Sequence, residues 1–172
     1  MKDGLNALYE RRSVRKYKSE QISDSELEQI LKAGLCAPSA MNRQPAIIIA
    51  VQDKDTIAYM SKLNAQVMGA NGDPFYGAPT VLVVLAEADN ANAVKDGSLV
   101  LGNLMNAASA LGIGSCWVNR AQEVFASSEG KALLEKWGVQ GDYIGVGNCI
   151  LGYSAEAQAA KPIKKNRLYY VR

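Results

Sequence analysis

The stretch Ala93–Leu111 constrains this chain more than any other. Val94, Leu101, Leu104, Met105, Ala108 and Leu111 fall on one helical face, and Gly97, Ser98, Gly102, Ala107 and Ser109 fill much of the rest. A helix that is apolar or small nearly all round is buried on several sides. It is expected at the centre, against a sheet and another subunit, or wholly inside the core of a monomer. Gly112 is placed for its C-cap.

Strand-length apolar runs surround it: Ala46–Val51 and Thr80–Ala86, both expected to be buried, then Ile113–Val118 and Ile144–Leu151, with a short fifth at Leu168–Val171. Between them lie helical patterns. Residues 3–10 carry Leu5, Leu8 and Tyr9 on one side. Ser23-Asp24-Ser25-Glu26 is a capping box, opening a helix with Leu27, Ile30, Leu31 and Leu35 as its apolar stripe, ended by Pro38. Asp55 is placed to cap a helix to about Met68. Ser127 or Ser128 starts another, ending near Trp137-Gly138. Asn71-Gly72-Asp73-Pro74 reads as a turn or mobile loop. With 172 residues, no repeat and no linker, the chain is expected to be one domain, 1–172, with its sheet between helical layers.

The absence of histidine excludes Ser-His and Cys-His nucleophile pairs and His-based zinc sites. With no CxxC pair, no metal site is expected. Reactivity must come from carboxylates, lysine or a cofactor. A net charge of +2 points to neither nucleic acid nor membrane as partner. No apolar run is of membrane-spanning length and no signal-peptide pattern opens the chain, so a cytoplasmic protein is expected. The scattered Cys36, Cys116 and Cys149 read as reduced, buried thiols.

Four segments can carry chemistry. Arg11-Arg12-Ser13-Val14-Arg15 can grip a phosphate and hydrogen-bond a polar ring, or be a solvated basic loop whose arginines complement a helix C-terminus. The loop Pro38–Pro45 presents Ser39, Asn42 and Gln44, or is an ordinary helix-to-strand connection. Leu111–Arg120 contains Gly-x-Gly, but in the order helix then strand, so it is no dinucleotide fingerprint. Asn119 and Arg120 lie at that strand's C-terminal end. Lys161-Pro162-Ile163-Lys164 can reach an anion, or is a basic tail.

In their order, these segments resemble the FMN-dependent nitroreductase family: Arg-Arg-Ser-Val-Arg-Lys-Tyr, then Pro-Ser-x-x-Asn-x-Gln-Pro, Leu-Gly-Ile-Gly-Ser-Cys-Trp, Ile-Leu-Gly-Tyr and Lys-Pro. The resemblance spans nearly the whole chain. It implies an α+β homodimer with a mixed, mainly antiparallel sheet between helices (three layers, α-β-α), and FMN in the subunit interface. It implies FMN contacts from Arg11, Arg12, Ser13 and Arg15, and from Pro38, Ser39, Ala40 and Asn42 of the other subunit, with Gln44 behind. Asn64, Asn119 and Arg120 would reach the ring, and Lys161 and Lys164 the phosphate. The chain departs from the family at Ala46, where tryptophan is frequent, and at Ile163, where arginine is frequent; Lys164 is the candidate substitute. The implied activity passes electrons from NADH or NADPH to a nitro compound, quinone or similar small acceptor, with no side-chain acid required. A same-fold dehalogenase or flavin-degrading enzyme, a flavin-binding protein with little turnover, and a cofactor-free interaction domain are the alternatives.

Overall fold

The computed structural model describes residues 3–157, 159 and 162–172. In chain order the elements are α1 (Gly4–Glu10), α2 (Asp24–Leu35), a 3-10 turn (Ala40–Asn42), β1 (Ala46–Val51), α3 (Lys54–Met68), β2 (Thr80–Glu87), α4 (Ala93–Ala110), β3 (Gly114–Val118), α5 (Ala121–Ala126), α6 (Ser128–Lys136) and β4 (Tyr143–Gly152). The strands pair in the order β1-β2-β4-β3, every ladder antiparallel. The parallel component of the expected mixed sheet is one bridge, Ser13 to Ser115.

Side chains alternate across β2, so each of its faces builds a core. Val81, Val83 and Leu85 pack with Ile57, Met60 and Leu63 of α3 and with Val124, Phe125 and Leu133 of α5 and α6. Leu82 and Val84 pack with Ile30 of α2 and Val100, Leu101 and Leu104 of α4. The result is a sheet between two helical layers. The pairing of β2 with β4 shifts between Val84 and Leu85, opposite Gly147 and Gly145, so Val146 is the extra residue. A Cβ at Gly97 of α4 would lie 2.6 Å from Val146 Cγ2, and one at Gly145 would lie 2.1 Å from the Ala121 carbonyl oxygen. Both glycines exist for close approach, one under the central helix and one under α5.

Several expectations are corrected. Asp53, not Asp55, caps α3, accepting from Thr56 N at 2.9 Å and Thr56 Oγ1 at 2.8 Å. Asp55 sits in the first turn, where its charge suits the helix dipole. α5 was not expected; it has no side-chain cap to signal it. β1 is half-buried because it is an edge strand, with Ala50 exposed. Leu168–Val171 forms no strand: it is exposed throughout, and Ser13 already pairs with β3 at the sheet's other edge. Cys36 is exposed rather than buried. Val94 is half exposed, turned away from the α4 core face. Among the described residues no helix is long and apolar enough to cross a membrane.

Candidate functional site

The basic segment after α1 is held extended by the sheet. Val14 N donates to Ser115 O, Lys18 N to Tyr153 O and Ala155 N to Lys16 O, each at 2.9 Å. Tyr17 Oη donates to Val14 O at 2.7 Å. Burial pushes the Tyr17 hydroxyl far above the ordinary phenol range, so it remains a neutral tether. Because the segment is extended, its side chains are dealt to different places.

Arg15 enters a cleft of about 260 Å³ at the end of β3, with Trp117, Asn119, Arg120, Pro74 and Tyr76. Arg120 adopts φ 78° and pairs with Glu123 at 2.8 Å, an exposed contact. That pair lowers the Glu123 carboxyl, first through the Arg120 hydrogen bond. Tyr76 also has a positive φ, 54°. For side chains of this size the left-handed region costs about 1–3 kcal/mol, and such strain collects where ligands are clamped.

One buried polar atom behind this cleft has no partner, Asn64 Oδ1. Trp117 contributes to the cleft from β3, but its indole turns to the other face of the sheet, beside Leu101 of α4 and over Gly147, where Nε1 is also unpartnered. Asn64, 1% exposed on α3, lies one turn from Met68, another lining residue, and its Nδ2 donates to Met68 Sδ at 3.4 Å. An orphaned buried polar atom costs about 1–3 kcal/mol, and a ligand with ring donors and acceptors is one way to recover it. The donor set, two arginines and two amides, fits a planar, polar, anionic heterocycle such as a flavin.

Arg11 and Arg12 line a second groove of about 410 Å³ with Ser115 at its base and Glu10 and Glu156 at its rim. Arg12 is partly committed: its Nη1 donates to Tyr9 O at 2.8 Å and Arg11 O at 2.7 Å, complementing the end of α1. Ser13, in the bridge to Ser115, lies between Arg11 and Arg15 in the extended segment.

The loop Pro38–Pro45 forms a third, smaller pocket of about 150 Å³, lined by Pro38, Ser39 and Gln44 with Asp96 behind. The buried Asp96 carboxylate, in the first turn of α4, accepts from Ala40 N at 3.2 and 3.3 Å. Ser39 Oγ accepts from Gln44 N at 2.9 Å, and Asn42 Oδ1 from Gln44 Nε2 at 2.9 Å. Met41, Asn42 and Gln44 all have positive φ, 51–54°.

Thus one chain brings Arg15, Asn119 and Arg120 together, Arg11 and Arg12 together, and Pro38, Ser39, Ala40, Asn42 and Gln44 together, in three separate places. Asn64 stands behind the first. Lys164 is exposed on the C-terminal tail, and Lys161 lies outside the described residues. Sequence reasoning did not single out Tyr76 and Asp96. Nothing local marks Asp96, which acts 56 residues away from Ala40.

The model of the nitroreductase family matches residues 8–153. The chain is 35% identical to a putative NADH dehydrogenase/NAD(P)H nitroreductase of Archaeoglobus fulgidus, over 89% of this chain and 86% of that one. It is 25% identical to an FMN reductase [NAD(P)H] of Bacillus subtilis, covering 94% of this chain and 70% of that one. Its fold matches crystal structures of nitroreductases with bound FMN from Bacteroides fragilis (TM-score 0.88, 28% identity) and Desulfitobacterium hafniense (TM-score 0.89, 27% identity), each over the full length of both chains. With the fold, the order of the motifs and the family model in agreement, this chain belongs to the nitroreductase family.

Proposed function

We propose that the chain is an FMN-dependent oxidoreductase that takes electrons from NADH or NADPH and gives them to a small electron-poor acceptor, a nitro compound or a quinone, working as a homodimer in the cytoplasm. The observation that carries this is the cleft where Arg15, Asn119 and Arg120 meet, with the unpartnered Asn64 Oδ1 behind it. FMN, when bound, supplies the redox chemistry, accepting hydride and releasing electrons to the second substrate. Arg15 and Arg120 hold positive charge in the cleft and favour negative charge gained there. Asn64 orients the ring through a carbonyl oxygen that is otherwise unsatisfied. Arg11, with Lys161 or Lys164 from the tail, is the phosphate grip.

The second copy supplies the Pro38–Pro45 loop, with Ser39, Asn42 and Gln44 as polar contacts. Support for a second copy comes from the apolar surface of one chain: Leu5, Leu8 and Tyr9 of α1, Leu35 at the end of α2, and Met41 on the loop are each at least half exposed. Surfaces of that kind mark interfaces. The three unpaired thiols suit a reducing compartment.

The test is the visible spectrum of the purified protein after FMN is added and the excess removed, alongside its size in solution. Retained flavin bands, a dimeric size, and at least a tenfold loss of flavin affinity or reduction rate in Arg15→Ala are expected. A colourless monomer after reconstitution overturns the reading.

A further inference from the structure

Pro74 and Tyr76 stand in the wall of the Arg15 cleft, with Asn119 and Arg120 also in its lining. Phe75 between them points the other way, 1% exposed in the core under α3. This arrangement is built. The Asp73 carboxylate accepts from Ser61 Oγ at 2.5 Å, Phe75 N at 2.8 Å and Gly77 N at 2.6 Å. The backbone adds Tyr76 N to Asp73 O at 3.1 Å and Ala78 N to Phe75 O at 3.0 Å. So the strained φ of Tyr76 is over-determined: one carboxylate ties the turn to α3 and to itself, and the buried phenyl ring prevents it from rolling. What this rigidity delivers is a half-exposed tyrosine ring at the mouth of the cleft that holds Arg15, Asn119 and Arg120.

From this we infer that Tyr76 determines which acceptors the site prefers, and that Asp73 is the residue that positions it. The inference deepens the proposed function and rests on it. An aromatic ring fixed in place favours planar, electron-poor partners by offset or edge contacts, and does little for a compact, non-planar one. The acceptor class selected is therefore the flat aromatic one, nitroarenes and quinones, rather than small inorganic oxidants. Rigidity matters because a ring free to swing gives up part of its contact in being ordered.

The experiment compares KM and kcat for nitrobenzene and for ferricyanide, in the flavin-loaded wild type, Tyr76→Leu and Tyr76→Phe. It adds a direct titration with benzoate, a planar ligand that accepts no electrons, followed by the shift it causes in the bound flavin's absorbance. Tyr76→Leu keeps the bulk and removes the ring. KM for nitrobenzene and the benzoate dissociation constant should rise about tenfold in it. Values for ferricyanide and kcat for both acceptors should hold, and Tyr76→Phe should match wild type. Asp73→Ala should raise the nitrobenzene KM while leaving the ring in place, and Asp73→Asn, which keeps one acceptor oxygen but sets its amide NH2 against a backbone N–H, should recover only part of the loss. An unchanged nitrobenzene-to-ferricyanide KM ratio in Tyr76→Leu, with flavin retained, overturns the inference and leaves the proposed function standing. A wild type that retains no flavin removes the proposed function itself.

Discussion

Two connections in this molecule do the same job, leading from a helix into a strand, and solve it in opposite ways. Pro38–Pro45 joins α2 to β1, and Gly69–Pro79 joins α3 to β2. Both hold large residues at φ near 54°. The second is anchored from within: Asp73 satisfies its own turn, and Phe75 reaches into the core. The first is anchored from outside, by Asp96 on α4, and turns its side chains outward, with Met41 84% exposed. A loop whose side chains are used for its own packing serves as a fixed wall. A loop whose backbone is held by a distant element, and whose side chains only brace one another or stand exposed, is prepared to meet something else. The same backbone strain thus serves two purposes, distinguished by where the supporting contacts come from.

The largest effect that tests this contrast is Phe75→Ala. Removing a fully buried phenyl should cost about 3–5 kcal/mol of stability in urea denaturation. A loss below about 1 kcal/mol, the scale of a surface change, would mean that the wall is not anchored through the core. Asp96→Ala should be milder on stability, about 1–3 kcal/mol, from the lost contact to Ala40 N and the lost charge at the start of α4. Its larger consequence should be functional, with flavin retention down at least tenfold because the outward loop loses its backbone support. If Asp96→Ala retains flavin like wild type, that loop is an ordinary connection and the contrast fails.

That contrast also marks how far the sequence could be read. All four strands were legible because each is an apolar run bounded by turn residues, and α2 because Ser23 and Glu26 form a reciprocal capping box, seen in the contact of Ser23 N with Glu26 Oε2 at 2.8 Å. α5 was not, since six residues behind an uncapped arginine give neither period nor start signal. Leu168–Val171 has strand composition, but a strand needs a neighbouring edge, and composition cannot tell which edges are free. Among the candidate site residues, Arg15, Asn119 and Arg120 could be picked individually by residue type and motif. Their convergence with Tyr76 and Trp117 depends on how β3 lies beside the α3–β2 connection. Asp96 reads in sequence as an ordinary acidic residue near a helix start; only packing reveals that its carboxylate holds another loop.

Two smaller changes sharpen the account of the outward loop. Ser39→Ala removes the acceptor for Gln44 N and should cost about 1 kcal/mol, read as a shift in urea midpoint, with the flavin-binding loss smaller than that of Asp96→Ala. A larger binding loss would make the Ser39 hydroxyl a direct ligand contact rather than an internal brace. Met41→Gly has the smallest expected effect and is the most informative about purpose. Glycine accepts φ 54° without strain, worth about 1–2 kcal/mol, against a loss of about 0.5–1 kcal/mol in backbone freedom. The net gain should therefore be about 0–1.5 kcal/mol in dilute protein, where Met41 is exposed to water. If a second copy covers Met41, that gain should shrink as protein concentration rises, because the dimer then loses the contact glycine cannot make. A gain that stays constant at every concentration would show that the loop's most exposed side chain meets no partner, and the strain at Met41 would then be unconnected to assembly.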